Sequence, residues 1–203
     1  MNLYLQKLFS NFYNALDTSR DNSTGASSID GTRKIRDELL ILFKKYNIKK
    51  MFDAGCNNCE WIRTFHFPEF EYQGGDISLS MVSQAWTRSP HLNVILHDIT
   101  TDPIPGVDVL FVRDVTLHLN NQDRHLVIKN WINSAVPWLL ITQSPYISQN
   151  TDVTYNNNFP ASEINWCIAP WNFPEPVNQI FEFESGQGRC LALWHRDQIK
   201  DLI

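Results

Sequence analysis

Two stretches of this chain carry residues whose types and spacing could do chemistry. The first is KKMFDAGCNNCEW, Lys49 to Trp61, where Asp53, Gly55 and Asn57 stand beside a C-x-x-C formed by Cys56 and Cys59. The second is RDVTLHL, Arg113 to Leu119, which sets Asp114 four residues before His118. Three chemistries compete for the first. A redox pair needs its leading cysteine at an exposed helix N-terminus, and Cys56 could meet that. The long helical region ahead of the segment, and an acid just before the turn, do not suit a thioredoxin-like unit. A zinc site draws its ligands from spaced pairs. Cys167 and Cys190 are isolated, with no histidine pair at the required spacing. The third option is a nucleotide-binding turn. Such a turn must let a ligand approach the backbone, which favours residues that tolerate positive φ, glycine first and asparagine next. Gly55 and Asn57 hold those places.

Further acids point the same way. Asp76 closes the second strand in GGDI, about 20 residues past Gly55, where a Rossmann-type site holds ribose hydroxyls. Asp98 closes LHDI, a position beside the adenine in such sheets, where a carboxylate can accept from the exocyclic amine. Dinucleotide sites place an anionic pyrophosphate at this turn, which Asp53 would repel. S-adenosylmethionine has no phosphate and carries a cationic amino group, so an acid there suits it. Each acid alone reads as a solvated loop carboxylate. Together they fall at successive strand ends, on the edge where open α/β sheets bind ligands.

The elements that must position these residues follow from periodicity. Leu5, Leu8, Phe9, Phe12, Tyr13 and Leu16 recur at helical spacing, so residues 1–16 form an amphipathic helix that packs on this domain or docks on a neighbour. Residues 17–31 are a polar, turn-rich loop over the cofactor site. TRKIRDELLILFKKYNI is a second helix, with Ile35, Leu39, Leu42 and Phe43 on one face. Strands and helices then alternate. KKMFDAG, EYQGGDI, LNVILHDI, GVDVLFVRDV and PWLLITQS are strands; CEWIRTF, SLSMVSQAWTRS (with Ser78 as N-cap) and NNQDRHLVIKNWINSA are helices. The aromatic, asparagine- and proline-rich segment 143–176 is an excursion on the acceptor side. VNQIFEFES and RCLALWHR close the chain as a hairpin. The fold class expected is α/β and Rossmann-like. It has a mostly parallel seven-stranded sheet, a C-terminal antiparallel hairpin and helices on both faces, all in a single domain over residues 1–203.

Composition bounds the rest. A hydrophobic fraction of 43% in 203 residues suits one domain with a sizeable core. A net charge of −5 and no dense Lys/Arg run argue against nucleic acid as a partner. Four cysteines in this length are not a disulfide framework. No signal peptide or membrane span is expected, and the default location is cytoplasmic.

The quoted segments resemble class I S-adenosylmethionine-dependent methyltransferases. More narrowly, they are similar to a group found among glycan-building genes of bacteria and large DNA viruses, through STGASS, DAGCNNCEW, GGDI, RDVTLHL and RCLALW. The chain departs from that pattern at Asn57, where a second turn glycine is usual, and at Cys59, where a tryptophan is. The resemblance implies cofactor binding by Asp53, Gly55, Cys56, Asn57, Asp76, Ile77, Asp98, Ile99 and Arg113. It implies an oligosaccharide acceptor bearing a sugar hydroxyl, such as a terminal rhamnose, and adjacent or covalently linked glycosyltransferase domains as partners.

A sugar hydroxyl needs its proton removed as the methyl bond forms. His118 and Asp114 are the expected catalytic pair; with helical backbone they would share a face. His118 is the first choice as base, and Asp114 remains the alternative. Trp61, Tyr146, Asn150, Trp166, Trp171 and Arg189 are the candidate acceptor-binding residues, because pyranose faces stack on aromatic rings. No metal is expected. Other readings stay open: a methyltransferase with another small-molecule or RNA-cap acceptor, an NAD oxidoreductase, or a non-catalytic cofactor-binding module. The oxidoreductase would need more turn glycines and a well-placed Tyr-x-x-x-Lys, and Tyr46 precedes the first strand.

Overall fold

The computed structural model describes residues 1–15, 27–65, 70–155, 160–182 and 188–202. Leu16, most of the loop 17–31 and the STGA of STGASS lie outside them. Seven strands form one sheet: β1 (Lys50–Ala54), β2 (Glu71–Asp76), β3 (Asn93–Leu96), β4 (Val109–Val112), β5 (Trp138–Gln143), β6 (Asn178–Phe181) and β7 (Cys190–His195). Their order is β3-β2-β1-β4-β5-β7-β6. The first five run parallel, while β7 pairs antiparallel with both β5 and β6. The expected sheet is present, with the last strand inserted between β5 and β6.

Among the described residues, four α-helices accompany it: α1 (Leu3–Ala15), α2 (Arg33–Lys45), α3 (Leu79–Arg88) and α4 (Asn121–Ser134). Strand pleating divides the core in two. In β4, Val109 and Phe111 enter the cluster with Ile35, Leu39, Val82 and Ala85 of α2 and α3. Leu110 and Val112 enter the opposite cluster, with Leu5 and Phe9 of α1 and Val127 and Trp131 of α4. All four β4 residues are buried, as the continuous apolar run requires. The side chain of Asn120 accepts from the Asp123 amide at 2.8 Å and caps α4. Ser78 occupies the N-cap of α3, but its hydroxyl contacts Ser80 Oγ at 2.9 Å rather than the helix backbone.

One expected helix is absent. Among the described residues between β1 and β2, the chain makes only a 3-10 turn at Ile62–Thr64. The reason is local: Asn57 and Cys59 both sit at positive φ, 53° and 61°, which an α-helix does not accommodate. At the sheet's middle, β1 leads out to β2 on one side and β4 begins the run to β5 on the other. The carboxyl ends of β1 and β4 therefore face a crevice, where open α/β sheets take ligands.

Candidate active site

The turn after β1 is pinned to β2. Gly55 N and Cys56 N both donate to the Gly75 carbonyl, at 2.7 and 3.1 Å. Gly55 has φ 82°, and a Cβ there would come within 2.2 Å of Val115 Cγ2, so only glycine fits. Asn57 takes the left-handed conformation its residue type tolerates. The first helical turn that cradles phosphate in dinucleotide folds is missing here, since a 3-10 turn follows instead.

The acids are built in from the backbone. Asp76 Oδ2 accepts from Asn57 N at 2.9 Å and Oδ1 from Ser78 N at 2.8 Å. Burial pushes its pKa up to about 6, against those two hydrogen bonds. Asp53 is buried and accepts from the Tyr72 hydroxyl at 3.0 Å. Burial pushes its pKa up to about 7; the Tyr72 bond opposes this, nearby Asp76 adds to it and Arg113 opposes it. Asp98 is buried as well, and the chain itself engages both its oxygens. Thr100 N and Oγ1 donate to Oδ1, at 2.9 and 2.6 Å, and Asn2 N donates to Oδ2.

The two cysteines lie behind this turn. Both are buried free thiols, and Cys59 Sγ lies 3.6 Å from Tyr72 Oη. A Cβ on Gly74 would meet Tyr72 Oη at 2.8 Å and Cys56 Sγ at 2.9 Å. The hydrogen bond with Cys59, and then burial, push the Cys56 thiol well up, the reverse of a redox-active cysteine. Among the described residues no group of three or more His, Cys, Asp or Glu could hold a metal.

Past β4, Asp114 takes φ 58°, and a single 3-10 turn covers Thr116–His118. The expected shared helix face is therefore absent. Asp114 and His118 nonetheless line one cavity, because the tight turn folds them over the sheet edge. His118 Nδ1 lies 2.7 Å from the Pro160 carbonyl oxygen. A carbonyl only accepts, so Nδ1 carries the proton and Nε2 the lone pair. Burial lowers the His118 pKa below its ordinary value, with Pro160 and Asp114 opposing. Asp114 is held between two guanidiniums: Arg113 Nη1 at 3.6 Å and Arg189 Nη1 at 3.4 Å. Buried Glu182 joins the same pair of arginines, through Arg113 Nε and Arg189 Nη2, both at 3.1 Å.

A cavity of about 300 Å³ brings together Gly55, Asn57, Asp76, Ile77, Asp98, Ile99, Arg113, Asp114, His118 and Arg189. Asp53, Cys56 and Trp61 line an adjoining recess, which shares Gly55, Asn57 and Arg113 with it. The acceptor candidates separate. Tyr146 is 56% exposed and hydrogen-bonds Glu163. Trp166 has no exposed surface. Its indole donates to the Thr142 carbonyl at 2.9 Å and its ring packs on Trp171 and Phe173. Trp166 and the buried Trp171 are core residues of the excursion, which corrects their assignment to the acceptor surface. Asn150 is likewise a loop staple, donating to the Asn165 and Ala169 carbonyls and accepting from Asn165 N. Trp61 is buried against Phe65 and Phe111.

Sequence reasoning missed α1 as a wall of the cavity. Leu5, Phe9, Phe12 and Tyr13 line it, and the Phe9 ring meets His118 edge-on at 6.4 Å between centroids. It also missed Tyr72 and Glu182, whose alternation along strands gave no sign that they pair with charged groups.

No protein-family model and no curated protein matches the chain. Among solved structures, it is similar to magnesium protoporphyrin IX methyltransferase (ChlM) from Synechocystis PCC 6803 with bound SAH. That match has TM-score 0.67 and 14% identity, and covers 94% of this chain and 99% of that one. The methyltransferase domain of bacterial CtHen1 matches with TM-score 0.61 and 15% identity, over 81% and 98% of the two chains. The N-methyltransferase NodS from Bradyrhizobium japonicum matches with TM-score 0.57 and 15% identity, over 82% and 96%. The chain thus has the Rossmann-like fold of class I S-adenosylmethionine-dependent methyltransferases.

Proposed function

We propose that this protein is an S-adenosylmethionine-dependent O-methyltransferase acting on a sugar hydroxyl of a glycan. The observation that carries this reading is one cavity holding both Asp76 with its turn and the Asp114–His118 pair. Solved structures of the same fold with bound SAM or SAH support the cofactor. The residues present fit it: Asp53 for a cationic amino group, Asp76 for ribose hydroxyls, Ile77 and Ile99 for an apolar ring. The phosphate-cradling helix N-terminus is absent after the turn.

S-adenosylmethionine supplies, when bound, an electrophilic methyl group on a sulfonium. The chain's own residues act on the acceptor. His118 is neutral near pH 7 and holds its lone pair on Nε2, so it takes the hydroxyl proton. Asp114, ion-paired with two arginines, serves to orient the acceptor and Arg189. The sugar class rests on the motif resemblance and on Tyr146, whose exposed ring shares a shallow groove with Phe181 and Gly188. A terminal deoxyhexose such as rhamnose, in a glycan of the kind large DNA viruses build, is the acceptor proposed. Adjacent glycosyltransferase domains would deliver it.

Calorimetric titration with S-adenosylhomocysteine and with NAD tests the cofactor, and S-adenosylhomocysteine alone should bind. Methyl transfer from labelled S-adenosylmethionine to rhamnosides tests the acceptor. Transfer to other hydroxyl compounds but to no sugar would overturn the glycan reading.

A further inference from the structure

Helix α1 brings one polar side chain to the cavity. Leu5, Phe9 and Phe12 contribute apolar surface, whereas Tyr13 carries a hydroxyl. Tyr13 is reached by the 3.6-residue repeat: Leu5, Phe9 and Tyr13 stand four apart and share a face. Leu5 and Phe9 sink into the core and fix that face against the sheet edge. The Tyr13 phenol then lies against Asn57, with Asp76, Cys56 and Asp114 nearby.

Hydrogen-bond capacity decides what this phenol can do. The Asn57 side chain lowers the Tyr13 pKa, as a donor to the phenol oxygen does, while its own Oδ1 accepts from Asn58 N at 2.6 Å. The phenol oxygen therefore accepts from Asn57 and keeps its own proton to give. Asp76 accepts one backbone amide on each oxygen. A ribose carries two hydroxyls, each a donor and an acceptor. Asp76 can take protons from them but cannot give one; Tyr13 can.

We propose that Tyr13 is a cofactor-positioning residue, its hydroxyl donating to a ribose oxygen of S-adenosylmethionine opposite Asp76. The inference rests on the reading of this cavity as the cofactor site. It makes α1 part of the binding site, and gives the turn residue Asn57 a second role as the orienter of a phenol. Burial raises the Tyr13 pKa, so the phenol stays protonated and a donor throughout the neutral range.

The test is calorimetry on the full chain with two ligands: S-adenosylhomocysteine, and its analogue lacking both ribose hydroxyls. Tyr13→Phe keeps the ring and its packing. It should weaken S-adenosylhomocysteine about three- to tenfold, the net worth of one neutral hydrogen bond. The dideoxy analogue should bind wild type and variant alike. Equal S-adenosylhomocysteine affinity in both proteins would overturn the proposal. So would an equal loss with both ligands, which would leave Tyr13 a wall and nothing more. A wild-type chain that binds neither ligand would instead remove the cofactor reading, and this inference with it.

Discussion

His118 Nδ1 sits 2.7 Å from the carbonyl oxygen of Pro160, and that contact decides which imidazole nitrogen can act as a base. It also ties the candidate base to the middle of the excursion, 42 residues on. His118→Ala should lower kcat by about 10²–10⁴-fold, the usual worth of a positioned base. S-adenosylhomocysteine affinity, measured calorimetrically, should stay within about threefold, since no ribose or amino contact is assigned to His118. Burial lowers its pKa, so kcat should rise with pH through a value below 6.5 and then stay flat.

Asp114→Asn separates orientation from proton transfer. Two guanidiniums hold this carboxylate in place at the cavity wall. The variant should lose about tenfold in kcat/KM, mostly through acceptor KM, and keep the pH profile of the wild type. A loss matching that of His118→Ala, with the acid limb gone, would reverse the two roles.

Asp53 gives a pH signature to cofactor binding. Its carboxyl is raised to about 7 when the recess holds no cation. A cationic amino group binds the ionised form, so affinity for S-adenosylhomocysteine should fall as pH drops below about 7. Calorimetry near pH 6.5, in buffers of different ionisation enthalpy, should find proton release on binding. Asp53→Asn should remove both the release and most of the affinity.

The same carboxyl burdens the fold. A folded pKa raised above the unfolded value contributes stability below about pH 4, and loses it as pH rises through about 7. The loss reaches at most about 4 kcal/mol by the shift itself. Ligand-free Asp53→Asn, whose amide still accepts from Tyr72, should therefore melt several degrees higher than wild type at pH 8. At pH 4 the two proteins should melt alike.

Trp166 answers a question of packing. Trp166→Ala should destabilise the chain by about 3–5 kcal/mol, as expected for emptying a fully buried aromatic site. Denaturant unfolding measures it. Tyr146→Ala, at an exposed ring, should leave stability unchanged and raise acceptor KM.

The sheet and the turn were legible in the sequence because their signals are local. Five buried or alternating runs between helices specify a parallel sheet, and Gly55 with Asn57 specifies a positive-φ turn before any partner is known. The charged network was not legible. Glu182 meets Arg113 across 69 residues of chain, and no spacing rule reaches that far. The tryptophans misled for a related reason. A residue in an aperiodic segment looks solvent-facing, yet the excursion folds back and builds its own aromatic core on Thr142. Helix α1 was read correctly as amphipathic, but periodicity says only that one face is covered, not that a cavity lies beneath it.

Gly74 has no room for a side chain because Cys56 and Tyr72 already fill the space above it. The residue after the turn glycine and the fourth residue of β2 are thus two claims on a single volume. Substitution at either is a negotiated exchange: serine or alanine at 56 leaves the strand undisturbed, while any gain at 74 must wait for a loss at 56 or 72. Across descendants of this sequence, those three positions should change in concert. A catalogue of such variants would reveal the contact without any coordinates.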